Sequence, residues 1–202
     1  MKTGRADSIA FDLAAATGHA QVVERARVVL GGIDLLVNNA GVSSFEALER
    51  QSAETIARIA ATNLVAPMLL ARAALPHLAA GARIVNVGSM FGSIGFPHCA
   101  AYSATKFGLR GFSEALRREV AARGIGVTYV APRAARTEAN SAALYRFAAR
   151  TGMAMDAPAD VAEGRYPDTN AVNERVCSER NAATESYLPS IACQSICTRP
   201  AY

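Results

Sequence analysis

The spacing of apolar residues along the chain predicts an alternation of strands and helices. Short, nearly continuous apolar runs are typical of buried strands and occur at SIAF (8–11), IDLLVNN (33–39), ARIVNVGS (82–89) and GIGVTYVAP (124–132). Between them, apolar residues recur every three or four positions, which predicts helices over 19–30, after Ser52, from about Leu64, and over 102–123. Short links between these elements favour parallel β-α-β units, and therefore a doubly wound parallel sheet over 8–132.

The C-terminal part of the chain lacks this pattern. Beyond residue 164 the periodicity is weak, prolines are scattered, and three of the four cysteines occur. We interpret residues 1–163 as a partial α/β domain. Residues 164–202 are interpreted as a divergent segment without function, either a disordered tail or the product of a shifted reading frame. Deleting them is expected to leave the melting temperature unchanged.

Composition narrows the class of protein. A chain of 202 residues that is 51% hydrophobic and 19% charged suits one globular domain. Its net charge of +4 comes from scattered arginines, which favours solvated helix faces over nucleic-acid binding. The histidines and cysteines show no metal-ligand spacing. No uninterrupted apolar run reaches the roughly 18 residues that span a bilayer, and Asp7 and Asp12 interrupt any signal peptide, so a cytoplasmic protein is expected.

Three polar residues suggest proton transfer. Tyr102 and Lys106 are four positions apart on a predicted helix, so they share one face. A cation within about 4–6 Å favours a phenolate, which predicts a lowered pKa for Tyr102. Ser89 ends the preceding strand, where ligands of open parallel sheets bind, and a loop can return to place its hydroxyl beside the phenol. The alternative is a surface tyrosine on an amphipathic helix.

Four motifs together resemble the short-chain dehydrogenase/reductase family. NNAG (38–41), Asn63, Ser89 and Tyr102-x-x-x-Lys106 occur in the family's order, and the resemblance covers about residues 8–163. It implies a Rossmann-like fold and an oxidoreductase that transfers a hydride between NAD or NADP and a carbonyl or secondary alcohol. Tyr102 would exchange a proton with the substrate oxygen, which Ser89 would hold. Lys106 would bind the nicotinamide ribose, and Asn63 would support a water chain to it.

The resemblance also implies which residues contact the cofactor. These are Asp12 and Leu13 at adenine, Asn39, Ala40 and Gly41 at the adenosine ribose, and Pro132, Arg133, Ala135 and Thr137 at the nicotinamide amide. Arg133 replaces the family's glycine. Two simpler interpretations stay open, an Asp12 that caps the next turn and a strand-ending turn at 38–41. Ala142, Leu144, Phe147 and Met153 suggest an apolar substrate wall, and helices 64–80 and 102–122 would form a homodimer or homotetramer.

The family's first two strands and its Gly-rich turn have no counterpart in these residues. That turn presents backbone N–H groups to the pyrophosphate, and the end of the second strand selects NAD or NADP. We therefore expect a chain truncated at its front end that binds dinucleotide weakly and exposes unpaired strand edges that promote aggregation. The alternative to an enzyme is an inactive remnant that acts through dimerisation.

Overall fold

A four-stranded sheet forms the centre of the molecule. The computed structural model describes residues 7–132, 142–151 and 194–197. Strands β1 (Ile33–Asn38), β2 (Leu78–Val87) and β3 (Gly126–Val130) are parallel, and β4 (Gln194–Cys197) pairs antiparallel to β1. The order across the sheet is β3-β2-β1-β4. The predicted α/β class with a parallel sheet is confirmed.

Five α-helices accompany the sheet in the described residues. They are α1 (His19–Leu30), α2 (Ala53–Ala60), α3 (Ala66–Ala74), α4 (Ala100–Val120) and α5 (Ala142–Thr151). Helix α1 has the predicted bounds because Gly31 adopts the left-handed conformation that ends helices, with φ 78°. Ser52 begins α2 as predicted, since its side chain accepts the N–H of Thr55.

Helices α2 and α3 are joined by a wide turn, Ala61–Val65, rather than by a break. Pro67 has no N–H to donate to the carbonyl four residues before it, that of Asn63. In the turn the N–H of Ala66 instead reaches Ala61, five residues back. The two helices that the sequence predicted after Ser52 and from about Leu64 are therefore continuous.

The joined helix is long enough to cross a membrane, which the sequence was not expected to provide. In the part of the chain that the structure describes, Ala53–His77 is the one helix whose length and composition would allow it to span a bilayer. Of its most apolar window, 44% is buried inside the molecule.

The main core lies between one face of the sheet and three helices. Leu36, Ile84 and Val127 occupy equivalent positions on β1, β2 and β3, so their side chains share a face. They pack with buried residues of the helices, namely Val23 of α1, Leu70 of α3 and Leu116 of α4. This packing fixes where the carboxyl ends of the strands meet α4.

Two expectations about the sheet were wrong. Residues 8–11 are not a strand; no described strand lies beside them, and the chain enters a turn closed by the Ala15 N–H on the Asp12 carbonyl, 3.0 Å. The outer edge of β1, expected to be open, pairs with β4 over Leu35–Asn38. Apart from residues 194–197, the segment interpreted as a tail lies outside the described residues.

Candidate active site

The site is built where β2 and β3 end beside α4. Beyond β2, the Gly88 N–H donates to Val130 and the Met90 N–H donates to Pro132, at 2.6 and 3.2 Å. The two strands thus continue to pair past their ends. This pairing fixes the main chain on both sides of Ser89.

Ser89 is directed towards the N-terminal part of α4. Its Oγ accepts the N–H of Phe91 at 3.2 Å and caps the short 3₁₀ turn Met90–Gly92. The same side chain acts on the Tyr102 phenol, whose pKa it lowers. The structure therefore brings together the serine and the tyrosine that the sequence placed side by side.

Lys106 lies one helical turn beyond Tyr102 and is 3% exposed. Its Nζ donates to the Val87 carbonyl at 2.9 Å and lies 5.6 Å from the centroid of the Tyr102 ring. That distance is within the range of a cation–π interaction. The predicted pairing of phenol and ammonium on one helix face is present.

The predicted lowering of the Tyr102 pKa is wrong for the protein alone. Burial raises the pKa of Tyr102, and the hydrogen bond from Ser89 only partly opposes it. The ammonium of Lys106 lies over the ring and donates to Val87, and burial lowers its own pKa to about 8. Desolvation is thus stronger than the mutual stabilisation of phenolate and ammonium.

Asn63 ties the loop after β1 to α4. Its side chain accepts the Val42 N–H and donates to the Val42 carbonyl, both at 2.8 Å, and also donates to Thr105 Oγ1 at 3.3 Å. The side chain is fully buried. These bonds give Asn63 a positioning role beside Lys106, and a water chain through it stays a prediction.

The first residue of the NNAG segment joins the ends of β1 and β2. Asn38 donates to Asn86 Oδ1 at 2.7 Å. Asn39 is exposed and Ala40 is buried. A Cβ on Gly41 would lie 3.6 Å from Lys106 Nζ, so this glycine brings open backbone next to the ammonium.

Asp12 and Leu13 form a turn before α1. The Asp12 carboxylate accepts the Ala14 N–H at 3.0 Å, which is the capping role left open by the sequence. The Asp12 side chain is exposed, and its Oδ1 lies 3.9 Å from Nη2 of Arg58. Leu13 packs on the core. Their contact with adenine stays a prediction.

The segment after β3 is described only as far as Pro132, whose carbonyl accepts the Met90 N–H. The predicted cofactor residues Arg133, Ala135 and Thr137 lie outside the described residues, as does Met153 of the expected apolar wall.

A cluster of aromatic rings, the aromatic wall, adjoins Tyr102. The Phe91 ring meets the Tyr102 ring edge-on, with centroids 6.2 Å apart, and stacks on Phe96 at 4.7 Å. Phe147 of α5 packs against Phe96 at 5.5 Å and against Phe45 at 5.4 Å. Phe147 was predicted as part of an apolar wall; the other rings come from loops that the sequence did not connect to the site.

Sequence reasoning also missed Tyr129 of β3. Its hydroxyl lies 3.3 Å from the Ser89 carbonyl and 3.4 Å from both the Ser89 nitrogen and the Lys106 carbonyl. The available signal was alternation along β3, which places Tyr129 on the same face as Val127 and nearer the carboxyl end.

Comparisons with known proteins identify the family of this chain. The family model for short chain dehydrogenases matches residues 1–145, and the chain belongs to that family. The chain is 42% identical over 113 residues to the 3-oxoacyl-[acyl-carrier-protein] reductase FabG of Escherichia coli (strain K12), covering 55% of this chain and 46% of that protein. It is 35% identical over 131 residues to the ketoacyl reductase HetN of Nostoc sp., covering 64% and 46%.

The fold comparison gives the same family. A short chain dehydrogenase from Burkholderia cenocepacia J2315, solved in complex with NADP, superposes with a TM-score of 0.69 at 30% identity. The match covers 85% of this chain and 70% of that one. The chain spans about half the length of the curated relatives it matches.

Proposed function

We propose that this protein is an NAD(P)-dependent oxidoreductase that interconverts a carbonyl compound and a secondary alcohol. The observation that carries the proposal is the Lys106 ammonium 5.6 Å from the centroid of the Tyr102 ring, with Ser89 acting on the same phenol. Relatives named as reductases and a related structure solved with NADP support it.

The roles of the side chains follow from their chemistry. In the reductive direction the Tyr102 hydroxyl donates its proton to the substrate oxygen, and in the oxidative direction it accepts that proton. Because burial raises its pKa, the phenol is protonated at neutral pH and ready to donate. Ser89, fixed by the segment after β2, holds the substrate oxygen by a hydrogen bond within reach of the phenol.

The residues around Lys106 fit a nicotinamide nucleotide, which supplies the hydride in family members. One Nζ proton is used on Val87, and the ammonium carries two more donors that can bind ribose hydroxyls. The open backbone at Gly41, close to Nζ, leaves space for a ribose to approach. The described residues leave the choice between NAD and NADP open.

The substrate side of the site is apolar. The aromatic wall of Phe45, Phe91, Phe96 and Phe147 adjoins the phenol, so an uncharged carbonyl compound with an apolar substituent fits best. Reduction of an oxoacyl compound is one member of this class, since one relative is named a ketoacyl reductase and another a 3-oxoacyl-[acyl-carrier-protein] reductase.

The decisive experiment measures binding and turnover separately. The 202-residue chain is titrated with NADH and NADPH by nicotinamide fluorescence and assayed with aryl ketones, aliphatic ketones and 3-oxoacyl thioesters. Tyr102→Phe should lower turnover by about 10²- to 10⁴-fold, because it removes the proton donor. Its affinity for the cofactor should stay within about threefold of the unchanged chain. Wild-type turnover in this variant would refute the role of Tyr102.

We also propose that the protein is a cytoplasmic homo-oligomer, either a dimer or a tetramer, formed through α3 and α4. Gly108 of α4 lies against Leu64, and the residues next to this contact, Val65 and Phe107, are 44% and 45% exposed. Two large apolar side chains, one in the wide turn before α3 and one on α4, favour a second copy of the chain as the partner.

A further inference from the structure

Tyr129 lies where three parts of the proposed site meet. It is carried by β3, and its hydroxyl reaches the main chain of Ser89 and the Lys106 carbonyl of α4. The hydroxyl accepts the Ser89 N–H and donates its one proton to either carbonyl. The residue is half-buried, and burial raises the pKa of its phenol, so the donor proton is retained at neutral pH.

Two glycines make room for this ring. A Cβ on Gly88 would overlap the Tyr129 ring, and a Cβ on Gly92 would overlap the Tyr129 hydroxyl and lie 2.8 Å from the Lys106 carbonyl. Both glycines have an ordinary backbone φ, so space rather than conformation requires them. The turn that carries Ser89 is therefore packed directly on Tyr129.

We infer that Tyr129 is a positioning residue for Ser89, holding its main chain at a fixed distance from α4 and thereby aligning its hydroxyl with the Tyr102 phenol. Only the expected effect of Tyr129 on turnover rests on the proposed function. Two backbone bonds fix the turn on one side, from Gly88 to Val130 at the end of β3 and from Met90 to Pro132. The Tyr129 hydroxyl links it to α4 on the other.

The test uses one pair of variants of the full chain. Tyr129→Phe keeps the ring between the two glycines and removes the hydroxyl alone. Thr128→Val is the control. It removes a hydroxyl from the residue of β3 that precedes Tyr129 and faces the other side of the sheet. Melting temperatures establish that both variants fold.

Two measurements do not depend on activity. Exchange of the Ser89 amide hydrogen, followed by NMR, should be about five- to tenfold faster in Tyr129→Phe, because the amide loses its acceptor. In protein labelled at tyrosine Cζ, the Tyr102 resonance at neutral pH, assigned by its loss in Tyr102→Phe, should move in Tyr129→Phe. Thr128→Val should leave both unchanged.

The kinetic measurement adds the link to function. Turnover in Tyr129→Phe should fall about tenfold, with KM within about threefold, because Ser89 is misaligned while the apolar wall is intact. An unchanged Tyr102 resonance would overturn the inference, even with faster exchange at Ser89, because Tyr129 would then only stabilise the turn. If the unchanged chain turns over no carbonyl compound, the proposed function fails, while exchange and the Tyr102 resonance still decide the role of Tyr129.

Discussion

At the scale of single residues, the site combines a buried lysine with a partly buried tyrosine, and the surroundings of both favour the uncharged form. Burial lowers the pKa of Lys106 and raises that of Tyr102. Such opposed shifts are typical of acid–base sites, where the protein disfavours charge until a ligand compensates for it. A polar ligand next to Lys106 would restore part of the lost solvation and favour the ammonium.

The Lys106 pKa can be measured directly, because Lys2 is the other lysine in the sequence. In protein labelled at lysine Nζ, two resonances are expected. The one lost in Lys106→Met should titrate near pH 8, well below the ordinary lysine pKa of about 10.4. A Lys106 midpoint above about 10 would show that the ammonium is well solvated or paired.

The same shift has a consequence for stability with a defined sign. Between about pH 8 and 10.5 the unfolded chain holds a proton on Lys106 that the folded chain has lost, so the free energy of unfolding should rise with pH. The full difference is on the order of 3 kcal/mol. Urea unfolding at pH 7 and 9.5 should show most of this rise in the unchanged chain, and Lys106→Met should lack it. Above about pH 10 the raised tyrosine pKa values act in the opposite direction, since the folded chain then holds the extra protons.

At the scale of elements, the sequence predicted what local patterns determine. Helix α1 was predicted with its bounds because Gly31-Gly32 ends the periodic pattern, and Ser52 marked the start of α2. Pro67 lies in the first turn of α3 as predicted, but the sequence did not predict that α3 continues from α2. The wide turn that joins them contains Asn63, which hydrogen-bonds to Val42, a residue 21 positions away that local patterns do not connect to it.

The site shows the same division between local and long-range information. The helical spacing of Tyr102 and Lys106 predicted their shared face. The ionisation of Tyr102 was predicted wrongly because burial, which depends on packing by several elements, has the larger effect. The aromatic wall and Tyr129 were missed because each contact joins residues that are far apart in sequence.

The exposed side chains of Val65, in the wide turn before α3, and of Phe107 on α4 give a prediction about association. If a second copy covers them, Phe107→Ser should shift the molar mass measured by light scattering towards the monomer, because an apolar contact is replaced by a hydroxyl. Ile94→Ser is the matched control, since Ile94 is 61% exposed and lies outside both helices. A monomeric unchanged chain, or an equal effect of both variants, would contradict the helix-pair interface.

At the scale of the whole molecule, strand β4 changes the expectation for the C-terminal segment. The sequence predicted that residues 164–202 are dispensable and that the sheet has open edges. Pairing of Gln194–Cys197 with β1 instead covers the outer edge of β1, the strand that leads into the NNAG segment. An uncovered parallel strand would present free N–H and C=O groups to other chains, so β4 also protects against association.

Deletion of residues 194–202 should therefore destabilise the protein, whereas deletion of 198–202 should not, because the shorter deletion leaves β4 intact. Loss of a few backbone hydrogen bonds, each worth about 0.5–1.5 kcal/mol, corresponds to a fall in melting temperature of about 3–8 °C for a chain of this size. The longer deletion should also form larger species in size-exclusion chromatography, because the edge of β1 is uncovered.

Point substitutions separate the strand from the segment that carries it. Adjacent N–H groups in a strand point to opposite sides, so either Ser195→Pro or Ile196→Pro removes a hydrogen bond to β1, and the other removes a group that faces away from it. One variant should reproduce part of the destabilisation caused by the longer deletion, and the other should have the smaller effect. Equal melting temperatures for the unchanged chain, both proline variants and the longer deletion would show that β4 contributes nothing. The earlier expectation of a dispensable tail would then hold for these residues as well.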